Sequence, residues 1–282
     1  MRSHVVAWLA QFVSPTAAQL LAPTWFTMVG IAGLLTLWVL LRHARRDGGD
    51  PGAVATVVVV AYVTAVVAGV LVPAVIDVVE VYVRTGRVRP RLAGMTSFWG
   101  YLAGGLAVWA TCRRGGPRLG WLADRSTPML GVSLALIRVG CFLAGCDHGQ
   151  ISSLPWAVRF PRGSAAWRDH VAQGLLPTTR DASLPVHPTQ LYEAALGLAI
   201  GLAAWAYNRR AQRVGSGRVF VAAVVAYAAV RLGIENLRGD EARGFIAGLS
   251  SGQVFALVVL AAIGGALAIR ARRGPSGGSA TP

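Results

Sequence analysis

Seven runs of apolar residues, each close to the length of a membrane span, constrain this chain more than any other feature. A helix of about 20 apolar residues crosses the hydrocarbon core of a bilayer. The composition agrees, because 54% of the 282 residues are hydrophobic, 14% are charged and the mean hydropathy is +0.53. Its 12 acidic residues are too few to solvate the surface of a soluble protein of this size. The sequence therefore predicts an all-α, polytopic membrane protein.

Seven transmembrane helices follow from these runs. Their predicted bounds are 24–41, 53–76, 96–112, 126–146, 188–207, 219–237 and 252–269. The segment 1–23 is predicted to contain a helix in the membrane interface, with an apolar stripe made of Val5, Val6, Leu9, Phe12 and Val13. The segment 270–282 is predicted to be a basic, unstructured tail. The transmembrane domain thus covers residues 24–269 and includes a long insertion at 147–187.

Arginine supplies all 27 basic residues, and its distribution predicts the orientation of the spans. One set of connecting segments holds 14 arginines in 46 residues, namely 42–50, 113–125, 208–218 and 270–282. The segments on the other side hold 11 in 93 residues. Because the arginine-rich side faces the cytoplasm, the N-terminus and the 147–187 insertion are predicted to lie outside and the C-terminus inside. The arginines flank apolar runs and share no single face, so the net charge of +15 does not indicate nucleic-acid binding.

The sixth predicted span carries ionisable residues on one helix face. Tyr227, Arg231, Glu235 and Arg238 recur at positions i, i+4, i+8 and i+11. Ionisable side chains are costly within a span and usually face a functional site. Two arginines against one glutamate predict an excess of positive charge that binds an anion. The alternative is that Arg231 and Glu235 form a purely structural ion pair.

Arg138, within the fourth predicted span, suggests what that anion is. Together with Arg231 and Arg238 it supplies guanidinium groups, which match the oxygens of a phosphate in pairs. In a membrane protein, the natural phosphate is a lipid head group.

The start of the fifth predicted span adds polar residues at the outer surface. Gln190 and Glu193 are three positions apart and share a helix face, and His187 precedes them. His187 and Tyr192 also fit the role of interface anchors.

A metal site is not predicted. Cys141, Cys146 and His148 lie close in sequence, but their spacing matches no standard zinc pattern and a fourth ligand is missing.

Four motifs in order resemble the prolipoprotein diacylglyceryl transferase family. They are RVGCFLAGCDHG at 138–149, HPTQLYE at 187–193, YAAVRLGIENLR at 227–238 and LSSGQ at 249–253. The resemblance implies a seven-helix enzyme of the bacterial plasma (inner) membrane with its N-terminus outside and no cofactor. It also implies a reaction, the transfer of a diacylglyceryl group from phosphatidylglycerol to the lipobox cysteine thiol of a prolipoprotein signal peptide.

By the same resemblance, two sets of residues form the site. Arg138 and Arg231 hold the lipid phosphate, whose departure is easier when cations neutralise its developing charge. The catalytic set comprises Arg231, Glu235 and Tyr227, and the head-group set comprises Arg138, Arg238, His187, Gln190 and Glu193.

The third predicted span departs from the family. Trp99 occupies the position of a histidine that is widely regarded as the base, and the indole ring accepts no proton. Phe26 likewise replaces a tyrosine of the first span. One hypothesis is that His148 supplies the base, since an imidazole suits deprotonation of a thiol. The alternative is a divergent member that binds phospholipid but uses another acceptor or is inactive.

Overall fold

The computed structural model describes residues 1–9, 11, 25–88, 97–210, 214–240 and 244–272. Three predicted features lie outside the described part of the chain: the interfacial positions Phe12 and Val13, the tail beyond Arg272, and the side chains of Leu9 and Phe26.

The described residues form nine helices and one short antiparallel hairpin. Their bounds are α1 Arg2–Leu9, α2 Trp25–Arg46, α3 Pro51–Thr85, α4 Ser97–Arg113, α5 Leu119–Ala144, α6 Ala165–Ala172, α7 Thr189–Arg210, α8 Arg218–Glu235, β1 Phe245–Ile246, β2 Leu249–Ser250 and α9 Ser251–Arg272. In the hairpin, Phe245 pairs with Ser250 and Ile246 with Leu249.

Helices occupy all seven segments that were predicted as spans. Four of these helices are long and apolar enough to cross a membrane, namely Thr27–Arg46, Pro51–Thr85, Leu119–Ala144 and Ser251–Ile269. Large apolar side chains are exposed along them, such as Leu34 at 69% and Val258 at 59%. Such exposure is expected where lipid, and not water, surrounds the helix. The prediction of a mostly helical membrane protein is confirmed at this level.

Two helices extend well beyond the spans predicted within them. Helix α3 continues beyond Ile76 to Thr85, and Gly86 ends it with a φ of 66°. Helix α5 begins at Leu119, seven residues before the predicted start at Ser126. Charged residues such as Asp77 and Asp124 end the apolar run, but they do not end the helix, because helical hydrogen bonds persist where side chains become polar.

The chain divides into two compact units, and the first comprises residues 33–126 and 211–218. Its core contains Leu40, Ala44, Val54, Val57 and Leu122. Two aspartates tie its connecting segments together. Asp47 Oδ2 accepts hydrogen bonds from Trp121 Nε1 at 2.8 Å and Arg125 Nε at 3.0 Å. Asp124 Oδ2 accepts from the backbone N–H groups of Gly215 and Gly217, both at 2.9 Å.

The second unit comprises residues 1–32, 127–210 and 219–282. Helices α5 and α7 approach closely in it at Gly131 and Gly201, where a methyl group on Gly131 would lie 2.6 Å from the Gly201 Cα. Backbone contact of this kind needs small residues. Arg138 lies two turns further along α5, and Glu193 lies near the start of α7, so the close approach brings their side chains within reach.

The 147–187 insertion folds against its own short core. Phe160, Ala166 and Val186 are fully buried there. Its backbone is joined by isolated antiparallel bridges, and its one helix, α6, begins at the N-cap Ser164, whose Oγ accepts from the Trp167 N–H. Four prolines in the segment, at positions 155, 161, 177 and 185, disfavour longer helices.

Candidate active site

Helix α8 presents the predicted polar stripe as an ion-paired face. Arg231 Nη2 lies 2.9 Å from Glu235 Oε2, one turn along the same helix. Both side chains are buried, since 12% of Arg231 and none of Glu235 is exposed. Arg238 follows three residues after Glu235, in the turn that ends the helix, and its Nε lies 3.9 Å from Glu235 Oε1.

Glu193 of α7 joins this face to Arg138 of α5. Its Oε2 lies 2.7 Å from Arg138 Nε, and its Oε1 contacts Arg231 Nη1. The Tyr227 hydroxyl donates to it at 3.4 Å. Only 2% of the Glu193 side chain is exposed. One buried carboxylate therefore holds two guanidinium groups from different helices side by side.

Asp147 forms a second bridge between arginines. Its Oδ2 lies 2.7 Å from Arg138 Nη1, and its Oδ1 lies 2.8 Å from Arg238 Nη2. Burial by itself raises the pKa of the Asp147 carboxyl, but Arg238 and Arg138 outweigh burial and hold that pKa below its usual value. Asp240 also pairs with Arg238, at 2.5 Å.

The whole cluster contains more carboxylates than arginines among the described residues. Three guanidinium groups face four carboxylates, namely those of Asp147, Glu193, Glu235 and Asp240. The predicted excess of positive charge is therefore wrong for the assembled site, because it was counted only on the stripe from Tyr227 to Arg238. Each guanidinium still carries five N–H donors, more than its two or three carboxylate contacts consume, so the acids position the arginines without using up their capacity for phosphate oxygens.

The N-terminus of α9 closes one side of the cluster. Ser250 and Gln253 cap this helix reciprocally: Ser250 Oγ accepts from the Gln253 N–H at 3.2 Å, and Gln253 Oε1 accepts from the Ser250 N–H at 3.0 Å. Between them, Gly252 lies against the Arg231–Glu235 pair. A methyl group there would lie 2.7 Å from Glu235 Oε2 and 3.2 Å from Arg231 Nη2.

Comparison with known proteins identifies the family to which this cluster belongs. The family described as prolipoprotein diacylglyceryl transferase matches residues 15–269. The chain belongs to the prolipoprotein diacylglyceryl transferase family. Similar proteins named phosphatidylglycerol-prolipoprotein diacylglyceryl transferase occur in Clostridium tetani, Corynebacterium efficiens and Rhodococcus jostii. They are 24%, 31% and 31% identical to it over 83%, 77% and 89% of this chain and 87%, 68% and 70% of their own lengths.

Six of the predicted site residues meet in the ion-paired cluster described above. They are Arg138, Glu193, Tyr227, Arg231, Glu235 and Arg238. Gln190 contacts the turn beside the cluster, because its Nε2 donates to the Cys146 carbonyl at 2.6 Å. This contact supports a positioning role for Gln190.

His187 and His148 make their contacts elsewhere. The His187 Nδ1 lies 3.3 Å from the Tyr192 hydroxyl, which fits the anchor alternative. The two ring nitrogens of His148 face the Gly149 carbonyl and the Asp169 carboxylate, each at 3.0 Å. Both ring nitrogens of His148 therefore lie within hydrogen-bond distance of a neighbour that contributes no group to the arginine cluster. The role of His148 as the base stays a prediction.

Sequence reasoning missed Asp147, Asp240 and Gly252. One local signal pointed to the first: Asp147 lies two residues after the glycine that follows α5, and aspartate is among the residues that tolerate a positive φ, which is 54° here. Asp240 is two residues from Arg238, close enough for a local ion pair. The role of Gly252 depends on a helix crossing and left no signal in the sequence.

Trp99 has no role in proton transfer in this member of the family. It lies in the first turn of α4, where its ring packs edge to face against Phe98 with centroids 5.0 Å apart. Its indole N–H is a donor only. Any base for the reaction must come from another group.

Proposed function

We propose that this chain is a phosphatidylglycerol-prolipoprotein diacylglyceryl transferase of the bacterial inner membrane. The observation that carries the proposal is the Arg138–Glu193–Arg231 bridge, which fixes two guanidinium groups side by side in a member of this family. Paired guanidinium groups suit the phosphate of phosphatidylglycerol, and family membership supplies the reaction.

In this proposal the arginines act on the leaving group. Arg138 and Arg231 bind the phosphate of the lipid, and the negative charge that develops on it as the glyceryl C–O bond breaks is neutralised in place. The thiol of the lipobox cysteine attacks that carbon and forms a thioether as the C–O bond breaks, and glycerol phosphate departs with the electron pair of that bond and takes up the thiol proton. Tyr227 and Glu235 orient the arginines, while Arg238 and Asp147 extend the polar face toward the insertion.

The proposal includes seven spans with the N-terminus outside. Contacts within each unit support the predicted sides. Segments 42–50, 113–125 and 208–218, all predicted to be cytoplasmic, meet through Asp47 and Asp124. The predicted outer segments 147–187 and 238–248 meet where the backbones of Gly149 and Arg238 form an isolated antiparallel β-bridge. Helices α7 and α8 owe their lower hydropathy to the charged residues of the site, which face the protein interior.

A second candidate function is favoured by Trp99. Without the family histidine, the chain could retain the phospholipid site and transfer the diacylglyceryl group to a different acceptor, or to none. The two candidates share the arginine site and differ in the acceptor.

A transfer assay separates the candidates. Purified protein in detergent is mixed with phosphatidylglycerol and a lipobox peptide, and the peptide mass is measured. We expect a diacylglyceryl adduct on the peptide cysteine. Arg231→Ala and Arg231→Lys should reduce the rate by about 100-fold, because neither retains the guanidinium fork.

The matched control is Arg84→Ala, which removes an exposed arginine paired with Glu80 on α3. It should transfer at the wild-type rate. Bound phosphatidylglycerol with no adduct would favour the second candidate, and wild-type lipid binding by folded Arg231→Lys would refute the head-group site.

A further inference from the structure

The end of α5 brings two cysteine side chains together. The Gly145 N–H donates to the Phe142 carbonyl and the Cys146 N–H to the Cys141 carbonyl, both at 3.2 Å. With the Gly145 φ of 73°, these bonds define a Schellman motif. In this motif the side chains of the third residue from the helix end and the second residue beyond it lie against each other. Here those two residues are Cys141 and Cys146.

The next residue adds an oxygen to the two sulfurs. Asp147 has a φ of 54°, which turns its carboxylate back toward the helix end. As a result, the two Sγ atoms and a carboxylate oxygen of Asp147 all lie within 4.8 Å of one another. His148 is the group that the sequence places beside the two cysteines, a set that matched no standard zinc pattern, and in the structure its ring nitrogens face Gly149 and Asp169.

We propose that Cys141, Cys146 and Asp147 bind a thiophilic divalent cation, Zn²⁺ being the best fit. Tetrahedral Zn²⁺ with Zn–S bonds of about 2.3 Å places its ligand atoms roughly 3.5 to 3.8 Å apart, so small rotations of these side chains suffice. Two thiolates and one carboxylate are a ligand set that selects zinc over Mg²⁺ or Ca²⁺.

The surroundings favour three protein ligands and an open fourth position. Cys141 is 4% exposed and closes the inner side, whereas Cys146 is half-buried and the Asp147 side chain is 30% exposed. Catalytic zinc sites likewise have three protein ligands, and water or substrate takes the fourth position.

Neighbouring groups hold the three ligands in place. Arg138 and Arg238 each bind one oxygen of Asp147, at 2.7 and 2.8 Å, and a carboxylate has lone pairs left for a metal. Gln190 donates to the Cys146 carbonyl and fixes the turn. Zn²⁺ with two thiolates and a carboxylate carries one net negative charge, which the two arginines offset.

The proposed cation has a direct use in the reaction, and this step rests on the proposed function. A thiol that binds Zn²⁺ at the fourth position loses its proton and stays a nucleophile. Its sulfur then forms a bond to the glyceryl carbon as the C–O bond to phosphate breaks. The electron pair of that bond leaves with glycerol phosphate, which takes up the proton released by the thiol. The cation would promote deprotonation of the substrate thiol, which Trp99 cannot do because its indole ring accepts no proton.

Metal binding is measured first, on the full-length protein in detergent. Reduced, metal-free protein is incubated with Zn²⁺, and bound metal is counted by mass spectrometry. A parallel sample receives Co²⁺, whose thiolate charge-transfer absorption reports sulfur ligands. We expect one ion per chain with cobalt–thiolate absorption in the wild type. Both signals should be lost in Cys141→Ser and Cys146→Ser.

The chain offers a matched control in its third cysteine. Cys112→Ser on α4 removes a thiol without touching the cluster and should bind metal as the wild type does. Absence of metal from wild-type protein with three reduced thiols would overturn the proposal. So would a Cys141–Cys146 disulfide that forms in place of metal binding when Zn²⁺ is supplied.

Transfer measurements keep this proposal separate from the proposed function. Transfer that needs added Zn²⁺, and falls at least tenfold in Cys146→Ser but not in Cys112→Ser, supports the catalytic role. Equal transfer by metal-free protein would overturn that role and leave the transferase intact. Stoichiometric Zn²⁺ binding with lipid binding and no transfer to the peptide would support the metal site and refute the proposed acceptor.

Discussion

Glu193 is the residue on which the geometry of the arginine pair depends. Two guanidinium groups repel each other when they are brought together, and in a buried site nothing but an opposite charge offsets that repulsion. Glu193 provides it from a third helix, at 2.7 Å from Arg138 and in contact with Arg231. The carboxylate therefore has the role of a positioning group. It sets the arginine spacing before lipid arrives.

The first prediction concerns Glu193→Gln. The amide keeps the shape but removes the charge, so Arg138 and Arg231 lose their shared partner. Breaking a buried ion pair costs about 3 to 5 kcal/mol. We expect the free energy of unfolding in mixed micelles to fall by that order, and phosphatidylglycerol transfer to fall with it.

Glu80→Gln is the control for this prediction. It removes the same charge from an i,i+4 pair with Arg84 on α3 that is largely exposed. Such pairs contribute less than about 1 kcal/mol. Equal stability losses in the two variants would contradict the importance of the buried bridge.

At the scale of elements, the LSSGQ motif acts through the start of α9. Its Ser250 and Gln253 fix where the helix begins, and Gln253 Nε2 also donates to Asn236 Oδ1 at 3.1 Å in the turn after α8. The cap thereby sets the position of Gly252 against the Arg231–Glu235 pair. A motif that carries no reactive group contributes to the site through packing.

The second prediction follows from that packing. In Gly252→Ala the added methyl group would lie 2.7 Å from Glu235 Oε2, so the ion pair must shift. Overpacking at a buried position costs about 1 to 3 kcal/mol. We expect phosphatidylglycerol affinity, measured by titration in detergent, to fall about tenfold while the protein stays folded.

Gly264→Ala provides the comparison within the same helix. Nothing lies within 4 Å of a methyl group at that position. The change should leave lipid affinity unaltered and stabilise α9 slightly, because alanine is the better helix former by about 0.5 to 1 kcal/mol. Parallel effects of the two substitutions would rule out a specific contact at Gly252.

The insertion contains an element whose stability depends on pH. His170, in α6, is buried and its Nδ1 accepts a hydrogen bond from the Leu184 N–H at 3.2 Å. Burial first, and the neighbouring His148 second, lower the pKa of His170 below its usual value of 6.5, although Asp169 acts in the opposite direction. The folded insertion therefore binds fewer protons than the unfolded chain near that pH.

The third prediction gives the sign of this effect. Stability contributed by neutral His170 is complete above about pH 6.5 and is lost as the pH falls below that value. The thermal midpoint should thus decrease between about pH 7.5 and 5.5. His170→Gln, whose side-chain oxygen also accepts from Leu184, should flatten the profile.

His187→Gln supplies the control for the pH profile, since it removes a different histidine of the same segment. It should keep the wild-type slope. An unchanged slope in His170→Gln would show that another group titrates.

At the scale of the whole molecule, the arginine distribution and the side-chain contacts agree on which segments share a side. The chemistry of the proposed substrates agrees as well, because a secreted signal peptide reaches the site from the outer surface. Within the second unit, the arginine cluster lies at the ends of helices next to the 147–187 insertion. The insertion therefore lies next to the proposed head-group site.

The fourth prediction tests the orientation with reporter fusions. Alkaline phosphatase inserted after Thr178 should be active, because that enzyme matures only outside the cytoplasm. Green fluorescent protein fused after Pro282 should fluoresce, because it folds inside. As controls, the two reporters are exchanged between these positions, and neither should then give a signal. Signals only from the exchanged fusions would reverse the proposed topology.

The sequence by itself determined the helical elements. In a bilayer each backbone polar group must bond within its own segment, so an apolar run of sufficient length specifies a helix without reference to the rest of the chain. Six residues of the site were also recognisable, because an ionisable side chain in such a run is costly unless it has a function. Arg138, Glu193 and Arg231 were found in this way.

Only the tertiary structure decided how those charges are balanced. Asp147 lies outside the apolar runs, where an acidic residue is ordinary, and its pairing with Arg138 and Arg238 depends on a helix end and a turn meeting in space. Electrostatic energy depends on distances between atoms, which sequence separation does not give. For the same reason the sequence did not reveal the Cys141–Cys146–Asp147 cluster, because the position of Asp147 relative to the two cysteines depends on the backbone dihedral angles of the turn.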